Sequence, residues 1–307
     1  MVSRKIKFLI PKDRAELVPI FLTLFLICLY ATFELSVILP TIYHNVFTYK
    51  EIFHLLFGCY IIFNLIGNLY ICMITDTSVD TIICPVQLPS ATIIGKTQPD
   101  HLYYYCNWHY CHQCEVNVPP RSQHCFICRK CILKHDHHCT FLGRCIGYRN
   151  IRYYMCFLAW VWIGLVYCNI LHMDYTYELV GTLSWRVMIA CLFPLGAWLF
   201  GLINHFSLFL STICSTSIIL NLYVLFLILQ QLFLIINSQT WHEYKKNIHI
   251  YNLGKDFQSK LQGVFGRKWY LILFSPLIKS SPMGDGMVFD TNMIETRDIQ
   301  HTDTKRI

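Results

Sequence analysis

Four long apolar blocks dominate this chain, and they limit its fold more than any other feature. Val18 to Leu39 holds one charge, Glu34, and ends at Pro40; Ile52 to Thr75 follows. After a polar stretch come Tyr153 to Leu171 and then Val187 to Ile236, broken only by Asn204-His205. About 20 apolar residues in a helix cross a bilayer, so the first three blocks each predict one spanning helix. The fourth block is about twice the length of one span. Its resolution comes from charge. Lys and Arg are frequent before residue 18, in 76–152 and after Ile236, and absent from 173–184. Cytosolic flanks carry that excess, so the N-terminus, the middle segment and the tail all belong on one side, which requires an even number of crossings. Four crossings are expected, the last near Leu208 to Ile236, with 187–204 an interfacial or re-entrant piece on the lumenal side. Counting that piece, the chain has five apolar segments. The first block is too long for a signal-peptide core and reads as a retained span. Asn64 and Asn68, a turn apart, read as helix–helix hydrogen-bonding groups.

The expected organisation is therefore a cytosolic N-terminus (1–17), a first helix pair (18–75), a cytosolic cysteine-rich segment (76–152), a second membrane region (153–236) and a cytosolic tail (237–307). The fold class is an all-α multi-pass membrane protein carrying a small, irregular or β-hairpin, zinc-organised domain. Hydrophobic residues make up 55% of the chain and charged ones 14%, against about a quarter charged in soluble domains. The formal charge of +7 flanks the apolar blocks and forms no stripe, so no nucleic acid is expected.

Eight of the sixteen cysteines lie between Cys106 and Cys145. From Cys111 the pattern is C-x2-C-x9-H-C-x2-C-x2-C-x4-D-H-H-C-x5-C. CxxC pairs interleaved with histidine are metal ligands in a reducing compartment. Structural zinc takes four such ligands, and eight are present for two sites: Cys111, Cys114, His124, Cys125, Cys128, Cys131, His138 and Cys145. Cys139 and His137 remain over. An imidazole beside a thiol can take its proton, and Asp136 could orient that imidazole. Spacing alone leaves equally open that Cys139 is an alternate ligand and Asp136 a surface charge. No repeat is visible beyond the CxxC pairs. Cysteines inside the apolar blocks read as small buried hydrophobes.

His135-Asp136-His137-His138-Cys139, with the cysteine array before it and Cys145 and Asn150 after it, resembles the DHHC-type protein S-acyltransferases (palmitoyltransferases). The finer resemblance is to the type-24-like branch, through Gly143-Arg144 before Cys145, Tyr251-Asn252-Leu253-Gly254, and Ser281 to Gly286. This resemblance implies two structural zinc ions, one on Cys111, Cys114, His124 and Cys131, the other on Cys125, Cys128, His138 and Cys145. It implies Cys139 as nucleophile, His137 as base and Asp136 as the residue orienting His137. Ping-pong transfer would carry a long-chain acyl group from acyl-CoA (palmitoyl-CoA) to Cys139 and on to membrane-proximal cytosolic cysteines of client proteins. The acyl tail would lie among the membrane helices, in contact with lipid, in an endomembrane such as the ER or Golgi. The resemblance leaves any accessory subunit unspecified.

The chain departs from the family pattern at several places. Thr140-Phe141 stands where Pro-Trp is usual, and Gly143-Arg144 where Asn-Asn is common. Asp76-Thr77-Ser78 replaces aspartate-proline-glycine, and Thr240-Trp241-His242-Glu243 keeps one threonine of two. Lys134, Arg144, Arg149 and Arg152 either bind the phosphates of coenzyme A or are ordinary cytosolic-side charge. Tyr153, Tyr154, Trp160 and Trp162 either line an acyl cavity or form an interfacial belt. The altered residues after Cys139 keep a non-catalytic zinc-folded adaptor as the alternative. A channel is disfavoured, because the spans carry little besides Glu34 that an ion path would need.

Overall fold

The computed structural model describes residues 14–42, 48–81, 108–180, 185–249, 251, 254 and 256–289. The basic N-terminal residues up to Lys12, Cys106, Asn252-Leu253 and the polar end 290–307 lie outside these. Among the described residues, four helices are long and apolar enough to cross a membrane: α1 (Leu17–Ile42), α2 (Tyr49–Ile74), α3 (Ile151–Val180) and α6 (His205–Ile236). Between α3 and α6 come α4 (Trp185–Leu192) and α5 (Pro194–Leu199), of 8 and 6 residues. Both are far too short to span, as expected for 187–204. Asn204 caps α6, its side chain accepting the Ser207 N–H at 2.7 Å.

Two boundaries differ from the sequence expectation. Pro40 does not end α1, which runs on to Ile42. A π-turn at Glu34–Ile38 precedes it, with the Leu39 N–H reaching the Glu34 carbonyl. The wider turn relieves the ladder one residue before the ring that has no N–H to give. Helix α3 begins at Ile151 and continues to Val180, through part of the stretch read as a loop.

The chain forms two compact units, one of residues 22–67 and 157–229, the other of 1–21, 68–156 and 230–307. In the first, Tyr30, Phe33, Ile38, Leu171, Leu210, Ile213 and Cys214 make the core. Polar side chains there pair with each other: Tyr30 Oη lies 2.8 Å from Thr216 Oγ1, His54 Nδ1 2.6 Å from Tyr167 Oη, and Glu34 2.5 Å from His172. Inside an apolar bundle an unpaired polar group is costly, which explains this pairing. Asn64 also donates to the Tyr60 carbonyl of its own helix at 3.0 Å.

The second unit is built on three antiparallel hairpins of three-residue strands. These are β1–β2 (His109–Cys111, Val116–Val118), β3–β4 (Gln123–Cys125, Lys130–Ile132) and β5–β6 (His137–Cys139, Arg144–Ile146). A repeat that the sequence conceals now appears. The strand ends Cys111, Cys125 and Cys139 follow one another at intervals of fourteen residues, as do Val116, Lys130 and Arg144. The last residue of each turn is left-handed: Glu115 (φ 55), Arg129 (φ 52) and Gly143 (φ 58). Side-chain identity hides this repeat; backbone conformation reveals it.

Neighbouring segments lock the hairpins. Leu133 N–H donates to the Thr77 carbonyl at 2.9 Å, and Thr77 Oγ1 accepts from Arg149 N–H at 3.2 Å. Asp76 caps the same turn, accepting from Ser78 N–H at 2.9 Å, so this Asp-Thr-Ser turn forms without proline or glycine. Asn150 joins β6 to α3 by accepting from Gly147 N–H and donating to the Cys145 carbonyl, each at 2.9 Å. A Cβ at Gly147 would sit 2.5 Å from the Leu133 carbonyl oxygen, so this crossing requires glycine.

The described part of the tail packs against this unit. Arg152 donates to the carbonyls of Ser280 and Ile278, and Tyr148 Oη donates to that of Met283. Gly286, at φ +79, lets the backbone lie against the Tyr148 ring, where a Cβ would come within 2.7 Å.

Candidate functional site

Two clusters gather the eight expected ligands: Cys111, Cys114, His124 and Cys131 in one, Cys125, Cys128, His138 and Cys145 in the other. Each of the first two hairpin turns offers two thiols, and the facing cross-strand pair of the next hairpin offers a histidine and a cysteine. Thus His124 faces Cys131, and His138 faces Cys145. In the first cluster His124 Nδ1 lies 3.2 to 3.9 Å from the three sulfurs; in the second, His138 Nδ1 lies 3.4 to 3.6 Å from its three. A tetrahedron of about 2.3 Å zinc–sulfur bonds has edges of about 3.8 Å, so both donor sets suit zinc in size and chemistry. Both sets supply four protein ligands, the closed arrangement of structural zinc. The outer nitrogen of His138 contacts Glu16, a carboxylate of the kind that fixes a ligand's tautomer.

Cys139 belongs to neither cluster. Cys139 is buried, and its sulfur acts on the neighbouring His137 ring electrostatically. His137 Nδ1 lies 2.7 Å from Asp136 Oδ2, and its ring packs edge-on against Tyr154. Burial alone would lower the His137 pKa, but the hydrogen bond to Asp136 and the nearby Cys139 sulfur prevail and raise it to about 9. Asp136 is 2% exposed and fully hydrogen-bonded: Gln231 Nε2 donates to Oδ2 at 2.9 Å, and Trp241 N–H donates to Oδ1 at 2.8 Å. Burial would raise its pKa; these bonds and His137 hold it below the ordinary carboxylate value. The result is a fixed carboxylate–imidazole couple two residues from the Cys139 thiol.

Sequence reasoning missed the partners of Asp136. Trp241 stands where the second threonine is usual, yet the contact needs only its backbone N–H, so the substitution does not remove it. Trp241 opens α7 (Trp241–Lys245), whose capping box joins Thr240 and Glu243. Glu243 also grips Arg121 through two 2.7 Å bonds, and Arg121 lies under the rings of Tyr251 and Phe289. A carboxylate and a guanidinium so far apart in sequence gave no signal of pairing.

The four basic residues are not alike. Lys134 is 5% exposed, and burial together with nearby Arg121 lowers its pKa to about 7. Arg152 is 4% exposed and occupied with the tail carbonyls. Arg144 and Arg149 remain half-buried, the latter donating to the Asp76 carbonyl at 3.3 Å.

Comparison with known proteins identifies the class these features define. The family model described as DHHC palmitoyltransferase matches residues 105–248, from the first hairpin through α6 and α7, and the chain belongs to that family. Within it, the chain is similar to the type-24 branch. It is 32% identical to probable palmitoyltransferase ZDHHC24 of Rattus norvegicus, over 76% of this chain and 77% of that one. Against the Homo sapiens ZDHHC24 the identity is 31%, over 64% and 67%. Palmitoyltransferase ZDHHC22 of Danio rerio is 33% identical over 50% of this chain and 56% of its own length.

Proposed function

We propose that the chain is a protein S-palmitoyltransferase acting by two thioester exchanges at Cys139. The observation that carries this reading is the thiol left outside both clusters and tied to a buried Asp136–His137 couple. In the first step the Cys139 thiolate attacks the carbonyl of an acyl-CoA. The new S–acyl bond forms, the bond to coenzyme A sulfur breaks, and the leaving thiolate takes the proton held on His137. In the second, His137 accepts the proton of a client cysteine thiol, whose thiolate attacks the acyl-enzyme and expels Cys139. Each exchange trades one thioester for another, so alignment matters more than driving force. Asp136 supplies that alignment, orienting the imidazole and stabilising its cation. Zinc, when bound, supplies no chemistry here; its ligands hold β5 in place. Lys134 and Arg152 are buried, so of the four basic residues the half-buried Arg144 and Arg149 are better placed to meet the phosphates of coenzyme A.

The test is uptake of a clickable palmitate probe. The wild type should take up label in a hydroxylamine-sensitive bond, and Cys139→Ser should lose it entirely while keeping both zinc ions. A folded wild type that takes up none would instead describe a non-catalytic adaptor.

We further propose that the site faces the cytosol in an endomembrane, supported by the basic flanks and the reduced thiols. A glycosylation acceptor placed after Ile236 should stay unmodified. Its modification would put the tail in the lumen and refute this topology.

A further inference from the structure

The hairpin repeat explains why one thiol stays out of the metal sites. In the first two hairpins the turn carries ligands at its first and fourth positions: Cys111 with Cys114, and Cys125 with Cys128. Cys139 holds the first of these positions in the third hairpin, and Leu142 holds the fourth. The turn backbone is shared, down to the left-handed residue that follows the fourth position. Leu142 N–H donates to the Cys139 carbonyl at 3.2 Å, and its side chain is 1% exposed. Hairpin three is therefore a metal knuckle with one ligand replaced by a buried hydrocarbon.

We infer that Leu142 is a positioning residue that keeps Cys139 off metal. A single thiolate beside one imidazole is a poor zinc site. A second thiolate at position 142, at the register of Cys114 and Cys128, would face the same space as Cys139. With His137 that makes three protein ligands, enough for a zinc ion with an open fourth position. The cysteine needed as a free nucleophile would become a metal ligand, and His137 would be captured with it. Leu142 thus excludes zinc by offering no donor atom.

The inference rests on Cys139 being the acyl acceptor, but its test does not use acyl transfer. Leu142→Cys, purified with a phosphine reductant and zinc, is expected to hold about three zinc ions per chain where the wild type holds about two. Iodoacetamide modification of Cys139, followed by peptide mass spectrometry, should slow about tenfold, because a bound thiolate is a weaker nucleophile. Adding Cys139→Ser to that variant should return the count to about two, since one knuckle thiol is then gone. Leu142→Ser, which also removes the buried leucine but adds no strong ligand, should keep two ions and a reactive Cys139. If Leu142→Cys does not fold, Leu142→His presents a donor at the same position and is read identically. Two zinc ions and wild-type alkylation in the folded ligand-bearing variant would overturn the inference. Failure of the wild type to accept palmitate would leave these results standing and defeat only the assignment of Cys139 as acyl acceptor.

Discussion

Stripping zinc with a strong chelator is expected to unfold the hairpin segment from Trp108 to Ile146 while the membrane helices stay helical. Structural zinc contributes about 10–16 kcal/mol of apparent binding free energy, as much as the whole stability of many domains. The segment's own regular structure is slight. Its strands are three residues long, and its apolar core is a few side chains, chiefly Val79, Val118, Leu133 and Tyr148, beside the ligands themselves. Isolated hairpins of this size do not persist in water. The two sites are also joined in series. Hairpin β3–β4 gives His124 and Cys131 to one and Cys125 and Cys128 to the other. Either His124→Ala or Cys128→Ser should therefore cost more than one ion per chain. Released zinc read with a colorimetric chelator, alongside protease cleavage within 108–146, checks both statements. A segment that resists protease after both ions have gone would contradict them, as would a stable His124→Ala protein retaining two.

Arg121→Ala is the second large effect, at about 3–5 kcal/mol lost. The Arg121 side chain is fully buried, and Glu243 opposite is 5% exposed. Removing the cation leaves a buried carboxylate with two of its three hydrogen bonds gone, which costs much more than the intact pair contributes. Arg121 also donates to the Ser238 carbonyl at 2.9 Å, just before the turn into α7. Losing it should loosen the Thr240–Glu243 box and hence the Trp241 N–H on Asp136. Palmitate uptake is then expected to fall further than stability accounts for at the assay temperature. Arg121→Lys should lie between, since an ammonium cannot make the forked contact. Thermal unfolding in detergent measures the first quantity. A change under about 1 kcal/mol for Arg121→Ala would show that the pair is not needed.

What could be read from the sequence was local. The crossing helices follow from block length, and the eight ligands from spacing, because a CxxC turn places two thiols on one ion without help from elsewhere. The hydrogen-bond partner of His137 was likewise its immediate neighbour. What could not be read was non-local or lay in the backbone. Gln231, inside the last membrane helix, and Trp241, just beyond it, reach Asp136 across about a hundred residues of sequence, and Trp241 does so through an amide that any residue but proline carries. Arg152 was read by its charge, but its carbonyl partners follow the last span by some forty residues. The hairpin repeat shares only its cysteines and its left-handed turn, so letters alone did not show it. Pro40 misled for a similar reason: a π-turn is an adjustment of the ladder, not a sequence signal.

The two donors to Asp136 also fix when the site can exist during synthesis. The cysteine-rich segment leaves the ribosome well before α6 and can gather its metals early. Gln231 lies near the end of α6 and Trp241 just beyond it, so until both have emerged and docked the carboxylate of Asp136 lacks them. His137 then has an unanchored partner, and Cys139 an imidazole free to turn. On the proposed mechanism, a nascent chain therefore lacks its aligned imidazole until the final helix is in place, and translation order sets when the site is complete.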